Sequence, residues 1–126
     1  MKAWRIFFLL AGLYNVLGGA VGVVNVERQF DPPPTYPFAL QLLMVMVLIM
    51  GIGYLMVARD PPGNRGIVWL GLLTKVAGLV VSYQAIRSGQ LPASGWWQPL
   101  VNDLVWGVGF ALFLVRTRGA TQGGRS

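Results

Sequence analysis

The stretch Gly66–Ile86, with the sequence GIVWLGLLTKVAGLVVSYQAI, decides the fold of this chain. It runs for about 20 residues and carries one charged side chain, Lys75, close to its middle. A helix rises about 1.5 Å per residue, so a stretch of this length crosses a hydrocarbon core of roughly 30 Å. The stretch therefore predicts a membrane-spanning helix with a lysine near the centre of the bilayer.

Three other apolar stretches of similar length occupy most of the remaining chain: Ile6–Val26, Phe38–Ala58 and Trp96–Val115. The connections are short and contain helix-breaking residues, such as the Pro32-Pro33-Pro34 run before the second stretch. Short turns between long helices place neighbouring helices antiparallel. We predict an all-α membrane protein with four transmembrane helices in an up-down-up-down antiparallel bundle.

Composition bounds the domain organisation and excludes several classes of function. The 126 residues are 55% hydrophobic and 11% charged. We expect one transmembrane domain, residues 1–118, and a disordered Gly-rich basic tail, 119–126. The sequence has no cysteine and no histidine, which excludes thiolate catalysis and the usual zinc and haem ligands. It shows no phosphate-binding loop and no paired carboxylates either. We therefore expect no cofactor, no metal site and no catalytic residues.

Basic residues are concentrated on one side of the predicted membrane. Arg28 and Arg87 fall on the other side, with Glu27 and Asp31 nearby. The positive-inside rule then places both termini in the cytoplasm. We expect a multi-pass protein of the plasma membrane, namely a bacterial inner membrane. Because the cations flank membrane spans, the net charge of +6 does not indicate nucleic-acid binding. The concentrated cations are Lys2, Arg5, Arg59, Arg65, Arg116, Arg118 and Arg125.

The polar residues inside the four stretches fall near one depth, and we call them the polar cluster. A charged lysine at a helix centre costs about 2.5–3.5 kcal/mol on insertion, so Lys75 needs a partner. We predict an ion pair between Lys75 and Asp103, supported by the amide of Asn15. Asn102 adjoins Asp103, and the ring of Trp106 lies one turn away, where it can face the ammonium. Such a cluster either fixes helix register or forms a binding site, and the sequence leaves both open.

Small residues recur at helical spacing and predict where the helices pack. Gly18 and Gly22 form a GxxxG motif, which lets two helices approach closely where lipid offers no hydrophobic contrast. The remaining cations in the central turn, Arg59 and Arg65, are interpreted as turn residues and anchors for lipid phosphate. We expect the bilayer as a partner, and assembly as a homodimer or within a larger membrane complex. The predicted packing positions are Gly12, Gly18, Gly19, Gly22, Gly71, Gly78 and Gly107.

Three classes of function are compatible with these features. The first is a non-enzymatic accessory subunit, or a binder of a lipid or another hydrophobic molecule. The alternative is a small dimeric transporter that moves a proton or an anion with Asp103 and Lys75. An intramembrane enzyme is the third, and the absence of histidine and cysteine disfavours it.

The layout resembles small four-span bacterial inner-membrane proteins, including those called DoxX-like. The shared features are the four spans, a Gly-rich first span and a short basic tail, and they cover the whole chain. This likeness of architecture implies no roles for individual residues. In size and span number the chain is also similar to the small multidrug resistance family. That family has an essential acidic residue in its first span, where this chain has Tyr14 and Asn15, and the difference speaks against proton-coupled cation export.

Overall fold

A computed structural model describes residues 1–25, 37–90 and 97–118, with backbone only at 97–99. The predicted polyproline connection at 31–34, most of the second outer loop and the tail 119–126 lie outside the described residues. Within the described ranges the secondary structure is helical apart from short turns, without a strand, which confirms the all-α prediction. The helices are α1 (Lys2–Val24), α2 (Pro37–Arg59), α3 (Arg65–Arg87) and α4 (Trp97–Arg116), with a short 3₁₀ turn at Pro62–Asn64.

Three described helical segments are long and apolar enough to cross a membrane. They are Lys2–Val24, Pro37–Arg59 and Pro62–Arg87. Their length and composition support the prediction of a membrane protein. That α4 also spans the bilayer, and that both termini face the cytoplasm, stay predictions.

The chain divides into two compact units, Met1–Pro61 and Pro62–Ser126. We call α1 with α2 the first hairpin, and α3 with α4 the second hairpin. Each hairpin is built from long helices whose apolar side chains are largely exposed on the outer faces. The assembly of the two hairpins into one four-helix bundle stays a prediction.

Glycines of α1 set the contact in the first hairpin. A Cβ atom added to Gly12 would lie 2.6 Å from Leu55, and one added to Gly19 would lie 2.8 Å from the backbone nitrogen of Leu48. Positions later in α1 thus meet positions earlier in α2, so the two helices run antiparallel. Gly22 continues the series by packing on the side chain of Met44.

The first hairpin also uses a glycine of α2. A Cβ atom on Gly51 would lie 2.7 Å from the backbone nitrogen of Val16, so this position admits only glycine without a shift of the helices. Gly18 behaves differently from its neighbour Gly19. It is exposed, and a Cβ atom there meets no described atom within 4 Å. The GxxxG motif therefore does not act as one unit in this contact, since only Gly22 of the two faces α2.

The second hairpin is also antiparallel and is closed at one end by Arg65, the first residue of α3. The guanidinium of Arg65 donates hydrogen bonds to the hydroxyl of Thr117 and, at 3.0 Å, to the carbonyl of Leu114. Thr117 is buried and donates in turn to the carbonyl of Phe113. A cation beside the last carbonyls of a helix is stabilising, because those carbonyls lack partners within the helix.

Gly89 ends α3 at the opposite end of the second hairpin. Its φ of 79° is a left-handed conformation that glycine adopts without strain. The amide of Gly89 donates to the carbonyl of Ile86, and the amide of Gln90 donates to that of Ala85. This pair of hydrogen bonds is the Schellman arrangement, which satisfies carbonyls at the end of a helix.

Candidate functional site

The centre of the second hairpin contains an ion pair between two helices. Lys75 lies in the middle of α3 and is 7% exposed. Its Nζ is 3.8 Å from Oδ1 of Asp103 on α4, and the two side chains are 9% and 13% exposed. The structure thus brings together the two charged residues of the predicted polar cluster.

Two glycines lie against this ion pair, and one of them, Gly78, makes space for it. A Cβ atom on Gly78, one turn after Lys75, would lie 2.6 Å from Oδ2 of Asp103. On α4, a Cβ atom on Gly107 would lie 3.4 Å from Cβ of Lys75. Gly78 therefore accommodates the carboxylate, whereas Gly107 packs beside the lysine stem at a distance that would also admit a methyl group. Gly71, the third predicted packing glycine of this hairpin, is buried on α3.

Asn102 is the residue before Asp103 in the chain and carries a polar amide. The residue is half-buried, and its Oδ1 is buried without a hydrogen-bond partner among the described residues. An unsatisfied amide oxygen of this kind costs free energy, because it has lost water without gaining a donor. The contact of Asn102 with the ion pair stays a prediction.

The other two members of the predicted polar cluster are Asn15 and Trp106. Asn15 is 5% exposed and lies in the first hairpin, with its Cβ 2.9 Å from the place a Cβ atom would take on Gly51. Its approach to the ion pair stays a prediction. Trp106 is half-buried on α4, one turn from Asp103. The stacking of its ring on the ammonium of Lys75 also stays a prediction.

The distance between the charges decides what the ion pair can do. Direct hydrogen bonds between an ammonium and a carboxylate have donor–acceptor distances of about 2.7–2.9 Å. The 3.8 Å separation in this hairpin is longer, so the attraction is electrostatic and no direct hydrogen bond joins the two groups.

No third titratable side chain forms an ion pair with Lys75 or Asp103 within the described residues. The described residues also contain no group of three metal-binding side chains.

Two contacts between helices do not follow from the sequence analysis. Gly51 is not among the predicted packing positions, although it shares one helix face with Tyr54 and Ala58 in the sequence. The sequence predicts Arg65 as a turn residue and lipid anchor, whereas its guanidinium binds the end of α4. A basic residue at the start of one helix can serve lipid or a neighbouring helix end, and the sequence does not distinguish these roles.

Comparison of the chain with protein-family models, with curated proteins and with solved structures finds no match.

Proposed function

We propose that this chain is a non-enzymatic integral membrane protein that acts as a small accessory subunit or binds a lipid or another hydrophobic molecule. The observation that carries the proposal is the ion pair of Lys75 and Asp103, enclosed by Gly78 and Gly107 within one hairpin. Opposite charges that neutralise each other between two helices set register and orientation. They leave the outer apolar faces for contact with lipid or with helices of a partner.

The proposed location is a bacterial inner membrane, with both termini in the cytoplasm. The contact between Arg65 and the end of α4 supports this topology. It puts the start of α3 and residue 117 at the same end of the second hairpin. If α3 starts on the cytoplasmic side, α4 then ends there. The basic residues Arg116 and Arg118 fit that side under the positive-inside rule.

The structural role of the ion pair is tested with Lys75→Leu, Asp103→Leu and the double variant. Each single variant leaves one charge in an apolar environment, so we expect a loss of about 3 kcal/mol or more in the free energy of unfolding. The double variant leaves no charge and is expected to recover most of that loss. The measurement is thermal unfolding in detergent, together with the folded yield. Direct pairing would be contradicted if the double variant were no more stable to unfolding than the less stable of the two single variants.

The accessory role is tested by purification from native membranes at the native expression level. A stoichiometric membrane protein that accompanies the wild type and is lost with the Asp103→Leu variant would support it. A defined lipid or quinone retained through purification would support the binding role instead. Recovery of the chain alone, free of any bound molecule, would contradict both forms of the proposal.

Transport is the second candidate function, with Lys75 and Asp103 as the groups that exchange a proton or an anion. The observation that favours it is the 3.8 Å separation, which leaves the ammonium and the carboxylate without a direct hydrogen bond. Proteoliposomes that contain the purified chain would show proton or anion flux, and Asp103→Asn would abolish that flux while the protein stays folded. Equal flux in the wild type and in Asp103→Asn would exclude this function.

A further inference from the structure

The first hairpin carries an open groove at the end where α1 begins and α2 finishes. Its volume is about 340 Å³, and it is lined by Arg5, Ile6, Leu9, Leu55, Ala58 and Arg59. The six residues divide by chemistry. Two arginines lie toward the helix ends, and four apolar side chains form the rest of the lining.

The two arginines are available to an anion. Arg5 and Arg59 are exposed, and neither forms an ion pair with a carboxylate among the described residues. In the described part of this hairpin Lys2 adds a third cation, and Asp60 is the acidic residue. This end of the hairpin is therefore positively charged. A guanidinium binds phosphate well because its planar donors match two phosphate oxygens.

The groove lies at the ends of two helices that are long and apolar enough to cross a membrane, where a lipid headgroup would meet the hydrocarbon region. Arg59 is the last residue of α2, and Arg5 lies in the first turns of α1. Trp4 precedes Arg5 in the sequence and packs edge-on against Phe7, with ring centroids 5.8 Å apart. Aromatic residues and arginines together mark a membrane interface. The apolar lining continues from this level toward the membrane centre, through Leu9 and Leu55.

We propose that this groove binds one anionic phospholipid from the cytoplasmic leaflet. The phosphate lies between Arg5 and Arg59, and the first part of one acyl chain follows the apolar lining past Leu9 and Leu55. A volume of 340 Å³ is at the lower end for small-molecule sites, so it suits a phosphate and part of a chain. The inference deepens the proposed function, since it names the lipid class and the place where it binds.

A lipid fits the groove better than a free anion for two reasons. The surrounding leaflet presents amphiphiles at this depth, with the charged end level with the arginines. A free phosphate would use the arginines but would leave the four apolar side chains uncovered. Only a molecule with both parts matches the charged and the apolar lining.

Native mass spectrometry of the full chain in detergent tests the proposal, with phosphatidylglycerol as the anionic probe and phosphatidylcholine as the neutral one. The variant Arg5→Gln/Arg59→Gln removes the two cations of the groove. The matched control, Arg116→Gln/Arg118→Gln, removes two cations from the end of the second hairpin. Ala58→Leu fills part of the groove without a change of charge.

We expect the wild type to bind phosphatidylglycerol more tightly than phosphatidylcholine. One basic residue near an anionic lipid strengthens binding about fivefold, so the groove variant should weaken it about 25-fold. The control should stay within about twofold, and Ala58→Leu should weaken binding of both lipids. Inorganic phosphate should not displace the bound lipid, because it does not fill the apolar lining.

Three results would overturn the proposal. An equal loss in the control would mean a general attraction of anionic lipid to basic residues. Unchanged binding in Ala58→Leu would mean that no chain enters the groove. Displacement by inorganic phosphate would mean a plain anion site.

If the groove variant does not fold, a second variant, Arg5→Lys/Arg59→Lys, tests the site in its place, because it keeps both charges. It should fold and retain a preference for phosphatidylglycerol, with weaker binding than the wild type because the bidentate contacts are lost. Equal affinity for both lipids in this folded variant would also contradict the site. Failure of these tests would leave the accessory role intact, because the groove belongs to the first hairpin and the ion pair to the second.

Discussion

Lys75 shows how one residue constrains a membrane protein. A lysine at the centre of an apolar helix is tolerated when an opposite charge and enough space are both supplied. Asp103 supplies the charge at 3.8 Å, and Gly78 supplies the space. The ion pair therefore depends on a residue without a side chain as well as on the two charged ones.

Substitution of the two glycines by alanine separates space from charge. In Gly78→Ala the new methyl group would lie 2.6 Å from Oδ2 of Asp103, so the carboxylate must shift from its place beside Lys75. The carboxylate is the end of a flexible side chain, so we expect a loss of about 1 kcal/mol in the free energy of unfolding, the lower end for overpacked sites. Thermal unfolding in detergent measures it.

Gly107→Ala is the matched control for that prediction. Its methyl group would lie 3.4 Å from Cβ of Lys75, which is an ordinary contact distance. Alanine also favours the helix over glycine, so the change in stability should stay within about 1 kcal/mol of the wild type. A Gly78→Ala variant as stable as Gly107→Ala would mean that Asp103 is not held at Gly78.

At the scale of the element, α1 shows that small residues on one helix do different work. Gly12, Gly19 and Gly22 are buried against α2, whereas Gly18 is exposed. Membrane helices associate by close backbone approach, since lipid offers no hydrophobic contrast. The face with three buried glycines is therefore the one that joins the first hairpin.

Two adjacent alanine variants test this assignment. In Gly19→Ala the methyl group would lie 2.8 Å from backbone atoms of both Met44 and Leu48, and the helices must separate. We expect a loss of about 1–3 kcal/mol, measured by unfolding in detergent. Gly18→Ala places its methyl group in open space, so its stability should match or slightly exceed that of the wild type. Equal destabilisation by both variants would contradict the described contact.

The second hairpin uses a different means of holding its helices. Arg65 binds the end of α4 through the carbonyl of Leu114 and the hydroxyl of Thr117. The ion pair of Lys75 and Asp103 joins the same two helices at their centres. The first hairpin has close glycine contacts and a hydrogen bond from the side-chain amide of Gln41 to the carbonyl of Val23, at 3.2 Å. The second hairpin has polar contacts at two levels.

At the scale of the whole molecule, charge is placed where a membrane permits it. The described helices carry their basic residues at their ends, apart from Lys75, whose partner is supplied by α4. Arg5 and Arg59 stay exposed at one end of the first hairpin, where they are available to lipid phosphate. The same distribution underlies the predicted orientation.

The orientation is tested with reporter fusions after Ser126. A fluorescent protein at this position should fluoresce and alkaline phosphatase should be inactive, because the positive-inside rule places the C-terminus in the cytoplasm. Fusions after Gln90 should give the opposite pattern, since α3 leads to the other side. Active phosphatase at Ser126 would show that the predicted topology is wrong.

Much of the helical architecture follows from the sequence alone. Apolar stretches of about 20 residues can satisfy their backbone groups in a membrane only as helices, and three of these helices have the length and hydropathy to cross. The need of Lys75 for an acidic partner also follows, because Asp103 is the acidic residue inside the predicted spans. These conclusions depend on transfer free energy, which is a property of composition and length.

The tertiary structure decided which face of each helix meets its neighbour. Gly18 and Gly19 are adjacent and identical residues, yet only Gly19 lies against α2. Gly51 also lies in the contact, although it belongs to no GxxxG motif. The partner of Arg65 was also decided by the tertiary structure, because lipid phosphate and helix carbonyls both attract a guanidinium, and here it binds the end of α4. The rotation of one helix against another depends on side-chain packing between segments distant in the chain, and local sequence does not specify that packing.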